Sequence, residues 1–155
     1  MPTVSVTRQN FPGQAILLIR RSIPRLELQP MLSECFGKLF GHGHKAGLPI
    51  AGGPIARYLA VGPELWTVEA AMPLAAPAGG VGDIEAGTLP AGPVAVGIHA
   101  GPYEQLPETY AAIEKWMAAQ GMRAQGAPWE SYVTDPGQFP DPKDWRTEVY
   151  WPLEK

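Results

Sequence analysis

Apolar and polar residues alternate over positions 3–8, Thr-Val-Ser-Val-Thr-Arg, which is the pattern of a half-buried strand. Phe11-Pro12-Gly13 then turns the chain into a more continuously apolar run over 14–23, a second strand. From about Leu26 the period changes. Leu28, Met31, Leu32, Cys35, Phe36, Leu39 and Phe40 fall at the three-to-four spacing of one helix face, and Gly41-His42-Gly43 is expected to end that helix in a glycine-rich loop reaching Gly53. Residues 55–61 and 65–74, parted by a turn at Gly62-Pro63, form the next strand pair. The order then recurs: strands over 82–88 and 93–99, a helix marked by Leu106, Tyr110, Ile113, Trp116 and Met117 and stopped by Gly121, and strands over 129–133 and 146–153.

The recurrence reaches single residues. Trp66, Glu69, Pro73 and Leu74 reappear at one constant offset as Trp145, Glu148, Pro152 and Leu153, and Gly13 corresponds to Gly92. Pro54 and Tyr58 bracket Ile-Ala-Arg as Pro128 and Tyr132 bracket Trp-Glu-Ser; here the offset slips, because the first copy has the longer loop before its proline and the second after its tyrosine. The chain therefore reads as one unit written twice, over about residues 1–76 and 81–155, with residues 75–80 as the seam. Each copy runs strand, strand, helix, strand, strand, with one sheet face covered by its helix. This is an α+β fold of mostly antiparallel pairing, and such duplication is expected to place a ligand groove on the pseudo-two-fold axis.

Composition narrows the function. At 155 residues, 45% hydrophobic and 17% charged, the chain suits one globular domain. A net charge of −3 offers no basic face for a phosphate backbone, so direct nucleic-acid binding is not expected. Cys35 is the single cysteine, set in the apolar helix pattern, which excludes a disulfide framework and points to packing in a reducing compartment. There is no signal-peptide pattern and no apolar run near the ~18 residues of a membrane span. The expectation is a cytoplasmic protein without membrane contact.

Candidate chemistry lies in the strands. Alternate side chains share a strand face, so Glu130 stands with Tyr132, and Glu148 with Tyr150. The first copy has Ala56 with Tyr58 and Glu69 with Ala71 at the matching positions, so the acidic and aromatic character is weighted to the second. A Glu on an edge strand is ordinarily solvated, but Glu148 is followed by Val149, Tyr150, Trp151, Pro152 and Leu153, which argues for burial. Carboxylates among rings invite a flat lipophilic cation, with Glu148, Glu130, Tyr150, Tyr132, Tyr58, Glu69, Trp66, Trp145 and Tyr103 as candidate lining. The alternative use is chemical: a Glu as general base on water, with a Tyr hydroxyl donating to an oxyanion. Residue types alone leave both open. His42 and His44 lack a third ligand for a metal. His99, at a strand end, suits a structural hydrogen bond. Gly79-Gly80-Val81-Gly82 lacks the helix a phosphate loop needs, and no cofactor is implied.

The run His99-Ala-Gly101-Pro-Tyr103-Glu-Gln-Leu106, the helix with Tyr110 and Trp116, Glu130-Ser-Tyr132 followed by Thr134-Asp135-Pro136, and the closing Thr147-Glu148-Val-Tyr150-Trp-Pro152-Leu153 together resemble the gyrase-inhibitor-like (GyrI-like) small-molecule-binding domain, also the effector-binding domain of multidrug-responsive transcription activators. The resemblance implies a duplicated strand-helix-strand-strand fold with a central groove. It places Glu130 at the groove floor against cationic aromatic ligands and assigns Glu148 and Tyr150 to the same site. Regulators of this family carry a helix-turn-helix ahead of the domain, for which residues 1–12 leave no room, so a stand-alone form without a DNA-binding domain is expected. Three functions follow from the resemblance. The first is binding of bulky, planar, hydrophobic, cationic small molecules. The second is hydrolysis of cyclopropane-bearing DNA-alkylating natural products, with Glu148, Glu130, Tyr132 and Tyr150 as the catalytic set. The third is inhibition of DNA gyrase as a protein partner.

Overall fold

The computed structural model describes residues 4–134 and 138–154; Asp135 and Pro136 of the resemblance motif lie outside the described residues. The elements follow in the order β1 (Val4–Phe11), β2 (Gln14–Ile23), α1 (Leu28–Ala46), β3 (Ile55–Val61), β4 (Trp66–Leu74), β5 (Glu85–Leu89), β6 (Gly92–Ala100), α2 (Leu106–Gln120), β7 (Trp129–Tyr132) and β8 (Arg146–Pro152). The fold is α+β and its strand pairing antiparallel, as the periodicity requires.

Two compact units result: Gly13–Pro90 form the first, and the segment ending at Pro12 joins the chain from Ala91 onward in the second. In the first unit the strands lie in the order β5, β2, β4, β3, with α1 against β2 and β4. In the second the order is β1, β6, β8, β7, with α2 against β6 and β1. The units are cut differently from the repeat in the sequence. β1 pairs with β6, from Val4 opposite His99 to Phe11 opposite Gly92, and β5 pairs with β2, from Gln14 opposite Leu89 to Leu18 opposite Glu85. Each copy thus lends its first strand to the other unit, and the most continuously apolar strands, β2 and β6, become interior strands with a neighbour on each side.

One expectation fails at α1. The helix runs through Gly41, His42 and Gly43 to Ala46 and ends at Gly47, whose φ of +67° supplies the left-handed cap. Glycine inside a helix costs about 1 kcal/mol relative to alanine, yet a Cβ at Gly43 would sit 2.9 Å from Met72 Sδ and 3.0 Å from Ile50 Cδ1. The bare backbone lets α1 lie directly on β4, and that packing outweighs propensity. His42 and His44 therefore stand on a helix, not in a loop.

Burial follows the periods. In the first unit Met31, Leu32, Cys35 and Leu39 of α1 are buried, as are Leu17, Ile19, Val68, Ala70 and Met72 of the sheet. In the second, Leu106, Ile113 and Met117 pack with Ala95, Val149 and Leu153. No helix among the described residues is long and apolar enough to cross a membrane.

Candidate functional site

Register decides which candidate residues meet. Glu130 of β7 lies opposite Val149 of β8, and Ser131 lies opposite Glu148. Directly opposed residues share a face, so Glu130 and Tyr132 face α2 with Val149, whereas Glu148 and Tyr150 occupy the other face with Trp129 and Ser131. The two acidic-phenolic pairs, expected in one site, are held back to back by one sheet.

On the α2 side Glu130 is only 4% exposed. Its Oε1 accepts from the Tyr132 hydroxyl at 2.6 Å and its Oε2 from the Tyr110 hydroxyl of α2 at 2.8 Å. Tyr103 packs its ring 5.5 Å from Tyr132 and 4.6 Å from Trp145, so Tyr103, Tyr132 and Trp145 form one aromatic cluster beside the carboxylate. Trp145 donates its indole N–H to the Phe139 carbonyl at 2.6 Å. The turn bearing Tyr103 is pinned by His99, which is fully buried. His99 Nε2 lies 2.9 Å from the Pro102 carbonyl, which can only accept, so Nε2 donates there, and Nδ1 shares a hydrogen bond of 2.6 Å with the Thr109 hydroxyl. Sequence periodicity marks Tyr110 only as part of the apolar face of α2 and gives no signal for Thr109.

On the opposite face Tyr150 donates its hydroxyl to Glu148 Oε1 at 3.0 Å. Burial first, then the charge of Glu148, pushes the Tyr150 phenol up to about 12, so it stays a donor at neutral pH. Trp129, almost fully buried, stacks on Tyr150 at 5.4 Å between ring centres with 9° between planes, and Phe11 meets both edge-on at 5.2 and 5.6 Å. Ile98 of β6, directly opposite Glu148, is 42% exposed. The half-buried Glu148 carboxylate has no cationic partner among the described residues.

Glu69 occupies the matching place in the first unit. Its cross-strand neighbours are Arg20 on β2 and Arg57 on β3. Arg20 donates through Nε at 3.1 Å and Nη2 at 2.8 Å, both to Glu69 Oε2, and Arg57 Nη1 stands 3.5 Å from Oε1. Glu69, a candidate for the ligand lining, is thus a buried carboxylate paired with two arginines. Glu69 Oε1 and Arg57 Nε remain buried without a hydrogen bond. Tyr58 and Trp66 are set apart from Glu69: alternation puts them on the α1 side, ring against ring at 6.1 Å, with the Arg25 guanidinium 5.8 Å from the Trp66 ring centre. Arg20 and Arg57 were missed by reading along strands; each is a charge in an otherwise apolar run, which is the available signal.

A family model of the GyrI-like small molecule binding domain matches residues 6–154. The chain belongs to this family. No curated protein matches the sequence. Among solved structures the GyrI-like domain is similar to EcmrR in a DNA complex, at 22% identity and a TM-score of 0.84, covering 98% of this chain and 58% of that one. The chain therefore spans little more than half the length of EcmrR. It is also similar to a Listeria innocua protein described as a hydrolase (14% identity, TM-score 0.67, 99% and 93% of the two chains) and to SAV2435 bound to tetraphenylphosphonium (12% identity, TM-score 0.64, 97% and 94%). At these identities the likeness is one of fold.

Proposed function

We propose that this GyrI-like domain binds a bulky, planar, hydrophobic cation on the Glu148 face of its second unit. The difference between Glu69 and Glu148 carries the proposal. The same register position is filled twice by a glutamate; in one copy Arg20 and Arg57 flank it, in the other Ile98 and Ser131 do. A half-buried carboxylate beside apolar surface and without a cation of its own is matched by a ligand that brings one. Tyr150, backed by Trp129, and Ile98 supply the aromatic and apolar surface, and ring faces add about 0.5–2 kcal/mol each for a desolvated cation. That SAV2435 holds tetraphenylphosphonium, tetrahedral at phosphorus, on the same fold supports a bulky hydrophobic cation as the ligand; the stacked Trp129 and Tyr150 rings are what favour a planar one. Glu130 lies on the opposite face, so one flat ligand on Glu148 does not also meet it; with Tyr103, Tyr132 and Trp145 it shapes the α2 side.

A thermal-shift titration with tetraphenylphosphonium tests this. At 100 times its dissociation constant the ligand stabilises the fold by about 2.7 kcal/mol, and the shift shrinks as salt screens the pairing. Absence of any shift at saturating probe overturns the proposal.

The pairing of Tyr150 with Glu148 favours one second reading: hydrolysis of a strained ring, with Glu148 activating water and the phenol, still protonated at neutral pH, turning its one O–H from Glu148 to an oxyanion as the ring opens. Incubation with a cyclopropyl-indole compound decides it. Turnover above buffer that Glu148→Gln abolishes makes the protein an enzyme; turnover no faster than buffer removes that substrate class.

A further inference from the structure

We infer that the end of the first unit around Trp66 docks a second copy of this chain about a two-fold axis, with Arg25 of each copy meeting Glu64 of the other. This contact is separate from ligand binding at Glu148 and rests on the first unit alone. Ile23, Trp66 and Val61 form one cross-strand row over β2, β4 and β3, so the three share the α1 side of the sheet. Val61 is 61% exposed, Leu65, next to Trp66, is 53% exposed, and Leu26, in the connection from β2 to α1, is 91% exposed. Large apolar side chains gathered at one end of a unit mark a contact surface, whereas scattered ones need no explanation. The two copies of the repeat treat this end differently. Trp145, the counterpart of Trp66, is covered within its own unit: the long connection from β7 to β8 brings the Phe139 carbonyl to its indole N–H, and Tyr103 packs 4.6 Å from its ring. The connection from β3 to β4 is the short turn Gly62–Leu65, closed by a 3.1 Å bond from the Gly62 N–H to the Leu65 carbonyl, and among the described residues it gives Trp66 no such cover.

Charge selects the occupant. Arg25 follows β2 and holds its guanidinium 5.8 Å from the Trp66 ring centre, while Glu64 lies in the turn between β3 and β4, so opposite charges flank Trp66 from two directions along the chain. Neither forms an ion pair among the described residues. A two-fold axis brings each guanidinium to the other copy's carboxylate, which makes the surface its own complement, and a tryptophan with an arginine is the residue pair most often found at the centre of such contacts. An anionic lipid surface would instead meet Glu27 and Glu64, two acidic residues against one arginine.

Analytical ultracentrifugation of the full chain over a range of concentrations tests the contact. The unaltered protein should dimerise reversibly. Arg25→Glu and Glu64→Arg should each weaken the dimer at least tenfold, since each sets two like-charge pairs in place of two opposite ones. An equimolar mixture of the two variants should dimerise again, because both pairs between unlike copies are then of opposite sign, and recovery in the mixture also shows that both variants fold. A chain that stays monomeric up to about 1 mM overturns the inference, including one that instead sediments with phosphatidylcholine vesicles. A dimer indifferent to both substitutions, or a mixture that associates no more tightly than its components, overturns it as well. None of these results bears on tetraphenylphosphonium binding at Glu148.

Discussion

Glu69 and Glu148 hold the same register position in the two units, and among the described residues Glu69 has arginines and Glu148 has none. Arg20 and Arg57 reach Glu69 from β2 and β3; Glu148 has the Tyr150 hydroxyl. The duplicated backbone carries two different electrostatic environments, one closed on itself and one open to a cation.

The closed environment makes Arg20 a stability residue. Arg20→Met removes both hydrogen bonds to a buried carboxylate, and we expect a loss of about 2 kcal/mol, moderated by the partial exposure of Arg20 and by Arg57. Adding Glu69→Leu to Arg20→Met should recover most of that loss, because no buried charge is then left unpaired. Urea unfolding of the three proteins measures both steps; a double variant no more stable than Arg20→Met would show that Glu69 is not the cause.

Tyr150 offers a reading of the open environment. Its folded pKa, about 12, lies above the ordinary phenol value of 10.0, so the protonated phenol is favoured by folding. The stabilisation is complete below about pH 10 and is lost as pH rises through about 12. Ultraviolet titration should show a late-ionising tyrosine that vanishes in Tyr150→Phe. In Glu148→Gln it should ionise earlier, since the carboxylate charge is part of the cause. An unchanged late step in Glu148→Gln would show burial alone at work.

Acid sensitivity has a different seat. Arg21 of β2 and Lys38 of α1 each donate to Asp83 at 2.6 Å, and together they draw its carboxyl from 3.8 down to about 2. The folded value is the lower one, so this stabilisation is present above about pH 4 and lost as pH falls through about 2. Thermal unfolding from pH 5 to pH 2 should fall less steeply for Asp83→Asn than for the unaltered protein. Parallel curves would remove Asp83 from the acid response.

The second unit packs its helix on bare backbone, as the first does. A Cβ at Gly97 of β6 would lie 2.7 Å from Ile113 Cδ1 and 2.9 Å from its Cγ1. Gly97→Ala should therefore cost about 1–3 kcal/mol by overpacking, and Ile113→Val in the same chain should return part of it. Denaturant unfolding checks this, and a neutral Gly97→Ala would mean that α2 shifts freely.

How much of this the chain displayed depended on distance along it. Glu130 with Tyr132 and Glu148 with Tyr150 sit two residues apart, so strand alternation alone foretells hydrogen bonds at 2.6 and 3.0 Å. The face each pair occupies depends on the β7–β8 register, and a one-residue slip would reverse it, so nothing local could separate them. Arg20, Arg57 and Glu69 come from three strands and meet only through cross-strand pairing. The length of α1 was hidden because Gly41 and Gly43 read as breakers; Gly43 is held by its close packing on Met72 of β4, which the helix pattern does not display, whereas a Cβ at Gly41 would meet nothing within 4 Å. The lending of β1 and β5 between copies was hidden for the same reason: it is a choice among partners, and the residues of each strand fit either.

Calorimetric titration of tetraphenylphosphonium and its neutral relative triphenylphosphine oxide into the unaltered protein and Glu148→Gln tests the open carboxylate directly. The cation should bind Glu148→Gln at least tenfold more weakly, a loss of about 1.4 kcal/mol or more, while the neutral compound changes little. Equal weakening of both compounds, or of neither, would contradict a role for the Glu148 charge.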